Sequence, residues 1–382
     1  MMRIAVFNHR LLALGGGERQ ALNIAQALAG AGHTVDFLHC DVTTPDEVQQ
    51  RLNLSLEGIR LRQLSQLHGE ISATSKEYDL FINSAHGQFV RPQAKRSVLV
   101  CFFPVRVDLS ASGRWRWWVG NLLRPVKHLL PRSLALRLDG LPSRAELVAL
   151  QTYNHVWANA QYTQRWVKHF WARESDLVYP LVEPMKALPK ANTIISVGRF
   201  RAGHNNKKHE ALVRAFREMV DAGLQGWQLH LVGGLTDEPE QARYFAELQE
   251  SAKEYPIHLH PNLPHTQLTE LIGKAKIYWH ATGYGENLMR FPDRAEHFGI
   301  ATVEAMSAGC VPVVIDAGGQ PEIVTHAQNG LLWRNLDELK AQTAQLIAQP
   351  EQLAVYAAQA QHRSAFFCDA AAFNRKVQLR VL

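Results

Sequence analysis

The chain has no run approaching the roughly 18 to 20 apolar residues that a bilayer-crossing helix needs. Its opening, MMRIAVFN, meets a glycine cluster too early for a signal peptide and reads better as a first strand. These absences predict a protein that stays in the cytoplasm. Cysteine is scarce: Cys40, Cys101, Cys310 and Cys368 form no CxxC or CxxxC pair, which argues against a structural zinc site or a disulfide framework and for free, buried thiols. HExxH is missing too, and among 18 histidines the close pair His258 and His260 only alternates within a strand-like run. No catalytic metal and no cofactor are therefore expected. Acids are sparse in one place: residues 106 to 144 hold eight Arg or Lys against Asp108 and Asp139, and this segment supplies the whole net charge of +6. The remainder is neutral, which excludes a broad nucleic-acid-binding surface.

What is present is an ordinary globular composition, 46% hydrophobic and 20% charged over 382 residues, long enough for two domains. Arg3 to Asn8 reads as a strand, Gly15 to Gly17 as a turn, and Ala21, Ile24, Ala25 and Leu28 as one buried helical face. Gly30 and Gly32 stop that helix, and strands follow at Thr34 to Cys40, Asp79 to Ser84 and Ser97 to Phe103. Pro180, Pro184 and Pro189 mark a hinge. The alternation then restarts with strands at Thr193 to Val197, Trp227 to Val232, Ile257 to His260, Ile277 to Ala281 and Val311 to Val314. A helix from about Lys208 carries Leu212, Val213, Phe216 and Met219 on one face. The expected fold class is α/β: two Rossmann-like, doubly wound parallel-sheet domains facing a central cleft, with ligands bound beyond the carboxyl ends of the strands. The domains are placed at residues 1–185 and 186–364, with a C-terminal helix of about residues 365–382 packing back on the first.

Three stretches carry the chemistry. Leu14-Gly-Gly-Gly-Glu-Arg fails as a dinucleotide fingerprint because Gln20 stands where the third glycine belongs, although Asp41 could imitate a ribose-binding acid. What remains is a tight loop opening a helix, suited either to close approach by a ligand or simply to a turn with positive φ. Val197-Gly-Arg-Phe-Arg places Arg199 just past a strand, and Lys207 stands at a helix start, a natural diphosphate clamp. EHFGIATVEAM, Glu296 to Met306, sets two carboxylates around a turn, Glu304 among the small residues Ala301, Ala305 and Ala308. A carboxylate on such a face needs hydrogen-bond donors, which ribose hydroxyls supply. Gly318-Gly319-Gln320-Pro321-Glu322 opens another helix, with Asn329-Gly330 as a later turn.

Taken together these stretches resemble the retaining glycosyltransferases of family 4, whose fold is GT-B. GGGERQ is similar to that family's first glycine loop, VGRF with Lys207 to its arginine and lysine pair, and Glu296 to Glu304 to its pair of glutamates separated by seven residues. VWANAQYTQRWV, from Val156, resembles the segment ending the first domain, with Ala160 in place of a serine. The resemblance implies that Arg199 and Lys207 hold the diphosphate and stabilise its growing charge, with Glu296 as the third catalytic residue. It also implies that Glu304 binds the ribose, and that Glu296 with the backbone of Phe298, Gly299 and Ile300 holds sugar hydroxyls and the distal phosphate. Gly16 and Gly17 would approach that phosphate from the first domain. The acceptor hydroxyl would attack from the face the diphosphate leaves, and the departing oxygen would take its proton. The partners implied are a nucleoside-diphosphate sugar as donor and a glycan or lipid-linked acceptor.

His86, after a first-domain strand, could face the acceptor or be a hydrogen-bonded structural histidine. Residues 113 to 133 mix Trp115, Trp117 and Trp118 with Arg114, Arg116, Arg124, Lys127 and Arg132. That composition predicts peripheral binding to an anionic inner-leaflet surface, the alternative being an insertion packed on the first domain. Two other function classes stay open: a glycoside hydrolase with Glu296 and Glu304 as acid and nucleophile, and a catalytically silent sugar-nucleotide-binding scaffold.

Overall fold

The computed structural model describes residues 1–11, 15–52, 55–106, 111–129, 131, 144–203 and 206–381. It divides into two units, Met1–Leu181 with Ala370–Leu382, and Val182–Asp369. The first crossing thus falls beside Pro180, and the second at Asp369, between the helices Pro350–Cys368 and Ala370–Val381.

In the first unit the strands are β1 (Arg3–Phe7), β2 (Thr34–His39), β3 (Ile59–Gln63), β4 (Leu80–Asn83), β5 (Arg96–Cys101), β6 (His155–Ala158) and β7 (Asp176–Leu177). They form one sheet in the order β3-β2-β1-β4-β5-β6-β7, and every described pairing is parallel. A parallel sheet must be covered on both faces, and Ile4, Ala5, Val6 and Phe7 of β1 are accordingly all buried. Helix Gly16–Ala29 lays the predicted stripe Ala21, Ile24, Ala25 and Leu28 into this core. Helix Ala370–Val381 then packs on Gly16–Ala29 through Phe373, Val377 and Val381, with Gln378 Nε2 donating to the Ala27 carbonyl at 3.1 Å.

The second unit continues with β8 (Thr193–Val197), β9 (Gln228–Gly233), β10 (Ile257–Pro261), β11 (Ile277–His280), β12 (Val311–Ile315) and β13 (Leu331–Trp333), in the parallel order β10-β9-β8-β11-β12-β13. Helix His209–Asp221 buries Leu212, Val213, Phe216 and Met219 as its periodicity predicts, with Phe216 edge-on to Trp279 at 6.2 Å between ring centres. Each such side chain contributes on the order of 1.5 to 3 kcal/mol of burial free energy. The order of strands reverses between β8 and β11, and the carboxyl ends of the strands at such a switch point are where open α/β sheets bind ligands. Among the described residues, no helix is long and apolar enough to cross a membrane.

Candidate functional site

Two loops meet at the switch point of the second unit. One runs from Val197, at the end of β8, to Lys208, which caps helix His209–Asp221. The other runs from His280, at the end of β11, to Gly299, which caps helix Ile300–Ser307. Glycine makes room within and beside the first loop. A Cβ at Gly198 would lie 2.5 Å from Cγ of Lys207, so the missing side chain is the space through which the lysine stem passes. A Cβ at Gly233 would lie 1.9 Å from the Gly198 carbonyl oxygen.

The stem ends on the second loop. Lys207 Nζ lies 2.6 Å from Glu296 Oε2, and His280 Nε2 lies 3.2 Å from the same oxygen. Burial alone would raise the Glu296 carboxyl, but the Lys207 charge and the His280 hydrogen bond overrule it and hold the group well below the ordinary carboxylate range. Burial pushes the His280 imidazole down, and Lys207 adds to that, against the pull of Glu296. Behind them His209 is fully buried against Phe200, and desolvation together with Lys207 and His280 lowers it to about 3.

The neighbouring lysine goes elsewhere. Lys208 Nζ pairs with Glu286 Oε1 at 2.7 Å, and Arg294 pairs with Glu286 Oε2 at 2.7 Å. These contacts hold Glu286 low although its burial opposes it. Two adjacent lysines therefore tie down two points of one loop, and only Lys207 reaches Glu296. No sequence motif marks Glu286, Arg294 or His280. Their signal is spatial, since nothing in GYGENLMRFPDRA announces which charges face Lys208.

After Glu296 the chain turns through Phe298, which is buried and edge-on to Phe367 at 5.4 Å, and Gly299, whose φ of 118° is costly for any residue with a Cβ. The turn is held from below by Gly319, whose N–H donates to the Glu296 carbonyl at 2.8 Å. Thr302 Oγ1 donates to Gln320 Oε1 at 2.9 Å, closing the first helical turn on the Gly318-Gly319-Gln320 loop. The N–H groups of Gly299, Ile300 and Ala301 have no intramolecular acceptor among the described residues, so this end of the helix can receive an anion. Glu304 lies one turn in, half-buried; burial, with the Glu304 charge adding to it, raises the Cys368 thiol to about 11. Arg199 is exposed just past β8. The structure therefore brings Lys207 and Glu296 into contact, sets Phe298, Gly299, Ile300 and Glu304 on the adjoining turn and helix, and leaves Arg199 at the rim.

Gly16, Gly17 and His86 belong to the first unit. Neither Gly15 (φ −95°), at the cap, nor Gly16 and Gly17, inside the helix, has positive φ, so these glycines are not there for a left-handed turn. Glu18 instead folds back to accept the Gly15 N–H at 2.8 Å, and a Cβ at Gly17 would press on the Phe102 ring at 3.3 Å. Exposed His86 stands 6.4 Å from that same ring. Asp41 accepts from the Leu11 N–H at 2.6 Å, a bracing of the loop after β1. At Ala160 the helix Gln161–Trp171 starts without a side-chain cap, and Thr163 Oγ1 donates to Asn159 Oδ1 at 2.7 Å. In helix Ala111–Leu123, Trp115 and Trp118 are 66% and 59% exposed, and Leu122 beside them is exposed as well. The side chains of Trp117, Arg114, Arg116, Arg124 and Lys127, with residues 132–143, lie outside the described residues.

Residues 183–363 match the family model of the Glycosyl transferases group 1. Among curated proteins, the GDP-Man:Man(3)GlcNAc(2)-PP-Dol alpha-1,2-mannosyltransferase of Dictyostelium discoideum is 28% identical over 218 residues, 52% of this chain and 40% of its own. The Homo sapiens protein of that description is 24% identical over 212 residues, 50% of this chain and 40% of its own. The aligned region spans only about two fifths of these relatives' length. Among solved structures, Anabaena HepE in complex with UDP and glucose superposes with a TM-score of 0.69 at 16% identity, covering 100% of this chain and 99% of that one. Sucrose-phosphate synthase from Thermosynechococcus elongatus gives 0.68 at 15% identity, covering 100% and 98%. These likenesses establish the GT-B fold.

Proposed function

We propose, from the match of residues 183–363 to the family model of the glycosyl transferases group 1, that the chain is a retaining glycosyltransferase moving a hexose from a nucleoside-diphosphate sugar to a glycan or lipid-linked acceptor. The setting would be synthesis of a cell-surface polysaccharide or glycolipid at the cytoplasmic membrane face. The observation that carries this reading is the Lys207–Glu296 contact of 2.6 Å at the switch point of the second sheet, beside an open helix N-terminus. A cation, a sugar-facing carboxylate and free N–H groups are what a diphosphate sugar requires. The curated relatives' printed names, with a GDP-mannose donor and a dolichol-diphosphate-linked glycan, favour a lipid-linked acceptor.

In this proposal Arg199 and Lys207 neutralise the diphosphate as its bond to the anomeric carbon breaks. The open N–H groups at Gly299 and Ile300, with that of Phe298, take the distal phosphate, Glu296 accepts from sugar hydroxyls and Glu304 from the ribose. The acceptor oxygen forms its new bond on the face the diphosphate leaves, and its proton passes to the departing phosphate oxygen. No metal or cofactor is assigned a step. The hydrolase reading is weakened by one contact: a general acid must hold its proton at working pH, whereas Lys207 Nζ lies 2.6 Å from Glu296 Oε2 and favours the ionised carboxylate.

Thermal-shift screening against UDP, GDP, ADP and their sugars, followed by transfer to a diphosphate-lipid-linked glycan, tests the proposal. Stabilisation and release of nucleoside diphosphate support it. Binding without turnover leaves the scaffold reading, and hydrolysis of a glycan without any nucleotide sugar supports the hydrolase.

A further inference from the structure

His280 closes β11 in register with Val314 of β12 and is 4% exposed. Its Nε2 lies 3.2 Å from Glu296 Oε2 and 3.1 Å from Thr282 Oγ1. An ionised carboxylate can only accept, so Nε2 carries the proton. Burial keeps the ring neutral, and the titratable groups around it are Glu296, Lys207 and His209. Nδ1 is then a bare lone pair, in keeping with its lack of any partner among the described residues. An Nδ1–H there would be a buried donor without acceptor, costing about 1 to 3 kcal/mol.

Both donors to Glu296 converge on Oε2. Oε1 receives none among the described residues, and the side chain keeps 22% of its exposure. Lysine is a point charge on a flexible stem, free to swing toward an arriving phosphate. The imidazole, seated on a strand end and buried, cannot follow.

We propose that His280 is the positioning residue of the donor site: its Nε2–H pins one oxygen of Glu296 and so aims the other at a hydroxyl of the transferred sugar, whether or not Lys207 stays. This rests on the reading of Glu296 as the sugar contact.

Two measurements test it. Long-range proton–nitrogen correlation on the ligand-free protein reads the His280 tautomer directly, and the Nε2–H form is expected throughout pH 6 to 8. An imidazolium or an Nδ1–H form overturns the proposal. Titration calorimetry with GDP, GDP-mannose, UDP and UDP-glucose then compares wild type with His280→Gln, whose amide nitrogen can stand where Nε2 stands, and His280→Asn, whose amide reaches only the Nδ1 position. Thermal unfolding confirms that both variants fold. His280→Asn should weaken the nucleotide sugar at least about tenfold while the free diphosphate binds as before, and His280→Gln should recover most of the loss. Equal weakening of both ligands, or of neither, overturns the positioning role. A wild type that binds none of the four overturns the donor-site reading itself, a result separable from the tautomer measurement.

Discussion

Lys207 and Glu296, 89 positions apart, meet at 2.6 Å, while Lys208 turns away to Glu286 at 2.7 Å. The two lysines thus have separable tasks. Lys207→Ala should lower transfer by about two orders of magnitude or more, the scale of losing one transition-state stabiliser. Lys208→Ala, which frees only a loop contact, should cost less than about tenfold. Steady-state release of nucleoside diphosphate by the purified variants decides this, and equal losses would refute the assignment.

Acid should weaken the second unit, and the direction follows from the shifts. His209 and His280 are lowered in the folded chain, His209 to about 3, so below the ordinary histidine value of 6.5 the unfolded chain takes up protons first. Their contribution is complete above that value and declines beneath it. Glu296, depressed when folded, adds stability above the ordinary carboxylate range that is lost as pH falls through its folded pKa. The unfolding midpoint should therefore fall steadily from pH 7 to pH 4. His209→Leu should make that decline shallower, whatever it does to the midpoint at pH 7.

Gly319 has an ordinary φ of −85°, so its replacement tests close approach alone. A Cβ there would stand 2.3 Å from the His297 carbonyl oxygen, backbone that cannot step aside. Gly319→Ala should cost about 1 to 3 kcal/mol in chemical denaturation and weaken nucleotide-sugar binding, because the displaced turn carries both Glu296 and the open N–H groups. Gly223→Ala, where φ is 104° but the space is empty, should cost stability without touching binding.

Exposed Trp115 and Trp118 give the membrane proposal its handle. Wild-type protein should sediment with vesicles containing anionic lipid, and changing Trp115, Trp117 and Trp118 to Ala should abolish that at unchanged fold. Unaltered partitioning of the triple variant would sink the proposal.

The sequence made much of the scaffold legible because buried parallel strands are nearly continuous apolar runs. The apolar runs mark Thr193–Val197 to the residue, and β1, β2 and β12 to within one. Strands β3, β6, β7 and β13 escape the pattern, and for three of them the reason is visible. IRLRQ is an edge strand whose Arg60 reaches across to the buried Asp36, so its pattern looks polar, and β7 and β13 are two and three residues long. Within the second unit the site residues were legible as residue types at element ends, but their partners were not. That Lys207 meets Glu296 rather than lying open, and that His280 supports Glu296 from a strand end, depends on register and glycine-made space. No spacing rule contains either.

The most direct test of the central claim follows the anomeric proton by NMR as the purified protein transfers a hexose from an α-linked nucleotide sugar to a lipid-linked glycan. The account predicts an α-linked product with release of the nucleoside diphosphate, and loss of both in Lys207→Ala. A β-linked product, or full turnover in Lys207→Ala, would contradict it.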